Sequence, residues 1–203
     1  MRICFIGDSF VNGTGDDACL GWVGRVCAAA RATGHDLTVY NLGVRRDTSA
    51  DVAARWRREA EARLPDGQDG RLVFSFGAND CTPDGAEGVR VAAPDALANA
   101  EAVLSAARAW RPTLMIGPLP VGGPPTDARI AALARDLGAL CARLDVPYMD
   151  AFAAMASCGA WRREAAQGDG AHPNAGGYSA LAGLIGGWAA WRAWLGPGSG
   201  VQA

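Results

Sequence analysis

The chain contains no lysine: all 19 of its basic residues are arginine. That absence excludes a Schiff-base lysine, a Ser-Lys dyad and the phosphate-gripping lysine of a P-loop. Histidine is scarce as well, with only His35 and His172 in 203 residues, so any imidazole chemistry rests on one of two positions. The six cysteines, at positions 4, 19, 27, 81, 141 and 158, include no C-x-x-C pair and no metal-like spacing. Cys4, Cys27 and Cys141 fall in apolar strand or helix patterns, where a free thiol behaves as a small hydrophobe. No signal peptide precedes the first apolar run, so the thiols are expected to be reduced in a cytoplasmic setting. Aromatic residues make up 7 % and the formal charge is −2, with no basic stripe, which argues against a nucleic-acid partner.

What is present is the composition of a folded globular protein, half hydrophobic and one-fifth charged. The length suits one domain over residues 1–195, and the glycine-rich "GPGSGVQA" at 196–203 is expected to form a flexible tail. One uncharged run, Asn174 to Trp191, raises the question of a membrane span. As a helix it would reach about 27 Å at ~1.5 Å per residue, short of the ~30 Å hydrocarbon core. Tyr178, Leu181, Ile185 and Trp188 share one helical face, which predicts a single helix packed on the core rather than inserted in a membrane.

Apolar runs alternate with helical patterns along the chain. The predicted strands are Ile3–Ile6, Leu37–Leu42, Leu72–Phe76, Thr113–Ile116 and Pro147–Met149. Between them lie predicted helices at Gly21–Thr33, Thr48–Leu64, Pro94–Trp110 and Asp127–Leu144. The last is the clearest, with Ile130, Leu133, Ala134, Leu137, Cys141 and Leu144 on the i, i+3, i+4, i+7 template. Such alternation implies βαβ units and an α/β fold, a five-stranded parallel sheet covered on both faces.

In a parallel sheet every carboxyl end points to the same edge, where open α/β sheets bind ligands. The residues after each predicted strand therefore form one candidate surface. They are Gly7-Asp8-Ser9, then "NLGVRRDTS" with Gly43, then "FGANDCTP" with Asn79 and Asp80, then "GPLPVGGPP". Before the final helix comes "GDGAHPNAGG", with Asp169 and His172. These are the parts for acyl transfer. A serine hydroxyl needs a base, and histidine is the usual one near neutral pH. A carboxylate on the other ring nitrogen fixes the tautomer, and N–H donors stabilise the oxyanion. His35 precedes the second strand, at the amino edge, so an imidazole base for Ser9 has to be His172. Asn79 offers an amide N–H and Gly43 a backbone N–H with no side chain in the way.

"GDSFVNG", "NLG", "GAND" and "DGAHPN" occur in the order of the motif blocks of the SGNH hydrolases, the GDSL-type lipase and esterase superfamily. The resemblance spans residues 7 to 174. It implies a flavodoxin-like three-layer α/β/α sandwich, with Ser9 as nucleophile, His172 as base and Asp169 as its carboxylate partner. It further implies an oxyanion hole made by the Ser9 and Gly43 backbone N–H groups and the Asn79 side chain, acting on a small-molecule ester with no cofactor and no metal. The sequence lacks the G-x-S-x-G elbow of α/β-hydrolases. It departs from the superfamily pattern at Phe10, where the name has leucine, and at Val44-Arg45-Arg46-Asp47, where small residues are common. Arg45 and Arg46 are expected to pair with Asp47, Asp51 or other carboxylates around the next helix, the alternative being an anionic substrate group. Three other readings share these residues: an acyltransferase on the same machinery, a non-catalytic flavodoxin-like binding domain, and a metal hydrolase ligated by Asp8, Asp80, Asp169 and His172.

Overall fold

The computed structural model describes residues 1–85 and 88–196, so most of the predicted tail (197–203) lies outside the described residues. In chain order the elements are β1 (Arg2–Gly7), α1 (Ser9–Asn12), α2 (Gly21–Ala32), β2 (Thr38–Gly43), α3 (Ser49–Glu61) and β3 (Gly70–Ser75). Two antiparallel two-residue strands follow, β4 (Pro83–Asp84) and β5 (Gly88–Val89), then α4 (Ala93–Arg108), β6 (Thr113–Ile116), α5 (Pro124–Arg143) and β7 (Tyr148–Met149). The chain continues through α6 (Phe152–Ser157), α7 (Gly159–Gln167), α8 (Ala175–Gly187) and α9 (Ala189–Leu195). The main sheet has the order β2-β1-β3-β6-β7 and every pairing in it is parallel. Counting only these five strands, the order is 2-1-3-4-5, the flavodoxin-like arrangement.

Both faces of the sheet are covered, which is why β1 reads as an unbroken apolar run. Ile3, Cys4, Phe5 and Ile6 are all fully buried. Phe5 meets Trp22 of α2 edge-on at 5.5 Å, and Trp191 of α9 at 6.2 Å. On the opposite face, Phe74, paired in register with Ile6, meets Trp56 of α3 at 5.5 Å. Each such ring buries enough apolar surface to stabilise the fold by roughly 1.5–3 kcal/mol. Helices α3, α4 and α5 pack in succession on the Phe74 side, and α2, α8 and α9 on the Phe5 side. Helix α3 starts with a capping box: the Thr48 side chain accepts from the Asp51 N–H and the Asp51 carboxylate accepts from the Thr48 N–H. In α5 the predicted stripe is buried from Ile130 to Cys141, and Leu144 sits just past the helix, half-buried.

All five predicted strands and the four predicted internal helices are present, with ends shifted by a few residues. The predicted final helix is corrected to two, α8 and α9. Gly186 and Gly187 weaken the helix, and Trp188 turns extended with ψ 128°. That break sends Trp191 into the core against Phe5, where one straight helix would have placed Trp188. Helices α6 and α7 carry only Met155, Trp161 and Ala165 as buried residues, too sparse a stripe to be read from the sequence. No helix among the described residues is long and apolar enough to cross a membrane.

Between β1 and α1, Asp8 is almost completely buried and caps α1, accepting the Phe10 N–H at 2.9 Å. Burial raises its carboxyl to about 7, and the nearby Asp80 and Asp47 carboxylates push the same way. A raised folded-state value means that the native state holds a proton the unfolded chain releases. The Asp8 contribution to stability is therefore greatest below about pH 4 and is lost as pH rises through about 7. Asp8→Asn keeps an effective N-cap while removing the buried charge. Thermal unfolding across this pH range should find variant and wild type alike at the acid end. At the alkaline end the variant should melt higher, by about 2–4 °C for each kcal/mol recovered. Parallel curves would show that the Asp8 charge carries no cost.

Candidate active site

The first three strands, β1, β2 and β3, end level, Gly7 opposite both Gly43 and Ser75, so the loops that follow them leave the sheet at one rim. Ser9 opens α1 immediately after β1, its side chain nearly buried. The chain returns to this rim 163 residues later. There the His172 Nε2 lies 2.7 Å from the Ser9 Oγ, and the His172 Nδ1 lies 2.7 Å from the Asp169 Oδ2. With Nδ1–H donating to the carboxylate, Nε2 is left to accept the serine hydroxyl proton. The other Asp169 oxygen accepts the backbone N–H groups of His172 (2.9 Å) and Ala171 (3.1 Å). Partial burial works to raise the Asp169 carboxyl, but these N–H donors and the imidazole outweigh it and hold it at about 2. Asp169 is therefore an anion throughout the neutral range.

The loop bearing this pair is positioned by residues that carry no local signal. Glu164, on α7, accepts the N–H groups of Asn174 (2.9 Å), Gly176 (3.1 Å) and Gly177 (2.8 Å), the donors left open at the start of α8. A Cβ on Gly176 would lie 2.2 Å from the Glu164 Oε1, so a side chain there would displace the carboxylate from this position. The ring of Phe10 lies 5.0 Å from the His172 ring and stacks on Trp161 at 5.6 Å. The departure from leucine at this position thus gives the imidazole an aromatic wall.

Asn79 follows β3 and lines the same cleft as Ser9 and His172, a space of about 550 Å³. Its Nδ2 donates one hydrogen to the Asp47 carbonyl at 2.9 Å; the second is uncommitted among the described residues. The neighbouring Asp80 is fully buried and accepts the Ser49 N–H and hydroxyl, fastening the loop after β3 to the start of α3. Arg55 of α3, which the sequence does not single out, donates to the Asp47 carboxylate (2.6 Å) and to the Gly7 carbonyl (2.9 Å). It ties the turn after β2 to the end of β1.

Gly43 departs from its expected role. Its N–H donates to the Asn41 Oδ1 at 3.0 Å, and it is not among the residues lining the cleft. Its lack of a side chain serves packing instead, since a Cβ would lie 2.1 Å from the Asn12 backbone nitrogen of α1. From this loop Arg45 and Arg46 reach the cleft, and Arg46 is third in a turn closed by the Asp47 N–H on the Val44 carbonyl (3.2 Å). Its φ of 75° and the turn hydrogen bond fit a type II turn. The Arg46 N–H has no partner among the described residues.

The expected arginine pairing is also corrected. Arg45 Nη2 donates to the Asp169 Oδ2 at 3.1 Å, not to Asp47 or Asp51, whose carboxylates are taken by Arg55 and Thr48. His35 lines a different groove, beside α2 and α9, with Trp191 and Arg192. Asp8 and Asp80 are each bonded to backbone elsewhere. No group of three or more His, Cys, Asp or Glu side chains is gathered as a metal site among the described residues.

No curated protein sequence matches the chain. Among solved structures, a lipase/acylhydrolase from Enterococcus faecalis is 27 % identical, with a TM-score of 0.74 over 91 % of this chain and 93 % of that one. An acetylxylan esterase from Geobacillus stearothermophilus, 20 % identical, superposes with a TM-score of 0.72 over 94 % of this chain and 96 % of that one. A putative acylhydrolase from Bacteroides fragilis, 22 % identical, gives a TM-score of 0.67 over 91 % and 84 %. Residues 5–180 match the model of the GDSL-like Lipase/Acylhydrolase family. That match covers most of the chain, and the protein belongs to this family of carboxylic ester hydrolases.

Proposed function

We propose that the chain hydrolyses esters of small or medium acyl groups through an acyl-enzyme on Ser9. The observation that carries this reading is the unbroken contact from Ser9 Oγ to His172 Nε2 and from His172 Nδ1 to Asp169, at 2.7 Å each. The Ser9 oxygen bonds to the ester carbonyl carbon as its proton passes to His172 Nε2. The tetrahedral intermediate then collapses, the C–O bond to the alcohol breaks, and His172 returns the proton to the departing oxygen. Water attacks the acyl-serine with His172 again as base, the carboxylic acid leaves, and the proton ends on the Ser9 oxygen. Asp169, ionised throughout, orients the imidazole and stabilises its charged form.

The oxyanion is assigned to the Ser9 N–H and the uncommitted Asn79 N–H, with the unpartnered Arg46 N–H in the place expected of Gly43. In the acetylxylan esterase of similar fold, the variants described as catalytic mutants replace a serine, an aspartate and a histidine. The same three residue types, on the same fold, support the assignment here. All six thiols are unpaired, and Cys4, Cys27, Cys81 and Cys141 are buried, which supports a reducing, cytoplasmic setting.

Ser9→Ala should abolish turnover of p-nitrophenyl acetate and labelling by a fluorophosphonate, while circular dichroism stays that of wild type. His172→Ala should lose the rate, whereas His35→Ala should keep it. Turnover near wild type in folded Ser9→Ala, or equal losses at the two histidines, would overturn the mechanism.

Asn79 provides a separate test. A donor that strengthens as charge develops acts on kcat more than on KM. Asn79→Ala should lower kcat by roughly 10²–10³, and Asn79→Asp, which sets a negative charge against the oxyanion, at least as far. A kcat within about threefold of wild type, against that expected loss, would leave Asn79 as a tie to Asp47 alone.

A further inference from the structure

The protein carries a formal net charge of −2, yet three arginines, Arg45, Arg46 and Arg90, line the cleft beside Ser9 against one acidic residue among the described residues, Asp169. Two of the three are committed. Arg45 bonds Asp169. Arg90 donates to the Arg46 carbonyl at 2.6 Å and stands 4.0 Å from Asp51. The guanidinium of Arg46 makes no hydrogen bond and no ion pair among the described residues, and the residue is exposed.

The backbone makes this arginine harder to dismiss as an ordinary solvated cation. At a φ of 75° a side chain is strained where glycine would not be. Glycine is the usual occupant of this turn position. Such outliers concentrate where a site needs a group held in place. Arg90, gripping the Arg46 carbonyl, holds the strained turn against the cleft wall.

We propose that the cleft selects esters bearing a carboxylate, which the Arg46 guanidinium binds while the ester carbonyl meets Ser9. A guanidinium offers a planar fork of N–H donors that matches a carboxylate in two parallel bonds. The cleft, about 550 Å³, has room for a small ester and its charged group together. This specificity rests on the hydrolase reading, and the test separates the two.

Three substrates suffice: neutral phenyl acetate, 4-acetoxybenzoate with the charge on the alcohol side, and monophenyl succinate with the charge on the acyl side. The readout is the ratio of charged to neutral kcat/KM, compared between wild type and variants so that intrinsic reactivities cancel. In Arg46→Gly, which relieves the strained φ and keeps the backbone N–H, the ratio for at least one charged ester should fall about tenfold. Most of that loss should appear in KM. Arg46→Lys should retain part of the preference, and added salt should erase it in wild type. An Arg46→Gly ratio within twofold of wild type for both charged esters overturns the inference, provided phenyl acetate is turned over, and leaves the hydrolase reading standing. Wild type that turns over none of the three overturns the hydrolase reading, and the specificity falls with it.

Discussion

The register of β1 with its two neighbours, β2 and β3, governs the rest of the molecule. Gly7 of β1 stands opposite Gly43 of β2 on one side and Ser75 of β3 on the other, so three parallel strands finish at one level. A slip of one residue in either pairing would turn the following side chains to the opposite face. With the ends level, the Ser9 turn, the Val44–Asp47 turn and the Asn79 loop open on the same rim. Arg55 then locks two of them together, through the Gly7 carbonyl and the Asp47 carboxylate.

Around that rim the loops are held by carboxylates that accept backbone N–H groups at helix starts. Asp8 takes the Phe10 N–H, Asp16 those of Ala18, Leu20 and Gly21, Asp80 that of Ser49, and Glu164 three at the head of α8. These are the donors a helix leaves without intrahelical partners, at the end where its dipole favours negative charge. For Asp16 and Asp8 the balance between burial and donors sets how readily the carboxylate ionises. Burial works to raise Asp16, but the paired Arg25 and its several N–H groups bring it down. Asp8 has the Phe10 N–H and lies near two other carboxylates, so burial prevails and raises it. The same fold thus holds one aspartate that stays charged and another that gives up its charge near neutrality.

Much of this was legible in the sequence because it is local. The length of an apolar run decides a strand, and a 3.6-residue period decides α5. Their alternation decides a parallel sheet, whose geometry sends Ser9, Asn79, Asp169 and His172 to one edge. With only two histidines, one at the amino edge, the partner of Ser9 followed by elimination. What tertiary structure alone decided are contacts between residues far apart in the chain, for which no local pattern exists. Arg55 reaches Gly7 across 48 positions, and Arg45 reaches Asp169 across 124. Phe10 walls the imidazole while Trp161 of α7 stacks on the Phe10 ring, contacts across long stretches of chain that no local pattern announces. The Gly43 N–H turns to Asn41 because Gly43 is pressed against the backbone of α1, and Arg46 takes the cleft position in a turn that glycine would normally make. A motif states which residue types meet at the rim; which N–H faces the cleft depends on a backbone rotation that only the packed neighbours set.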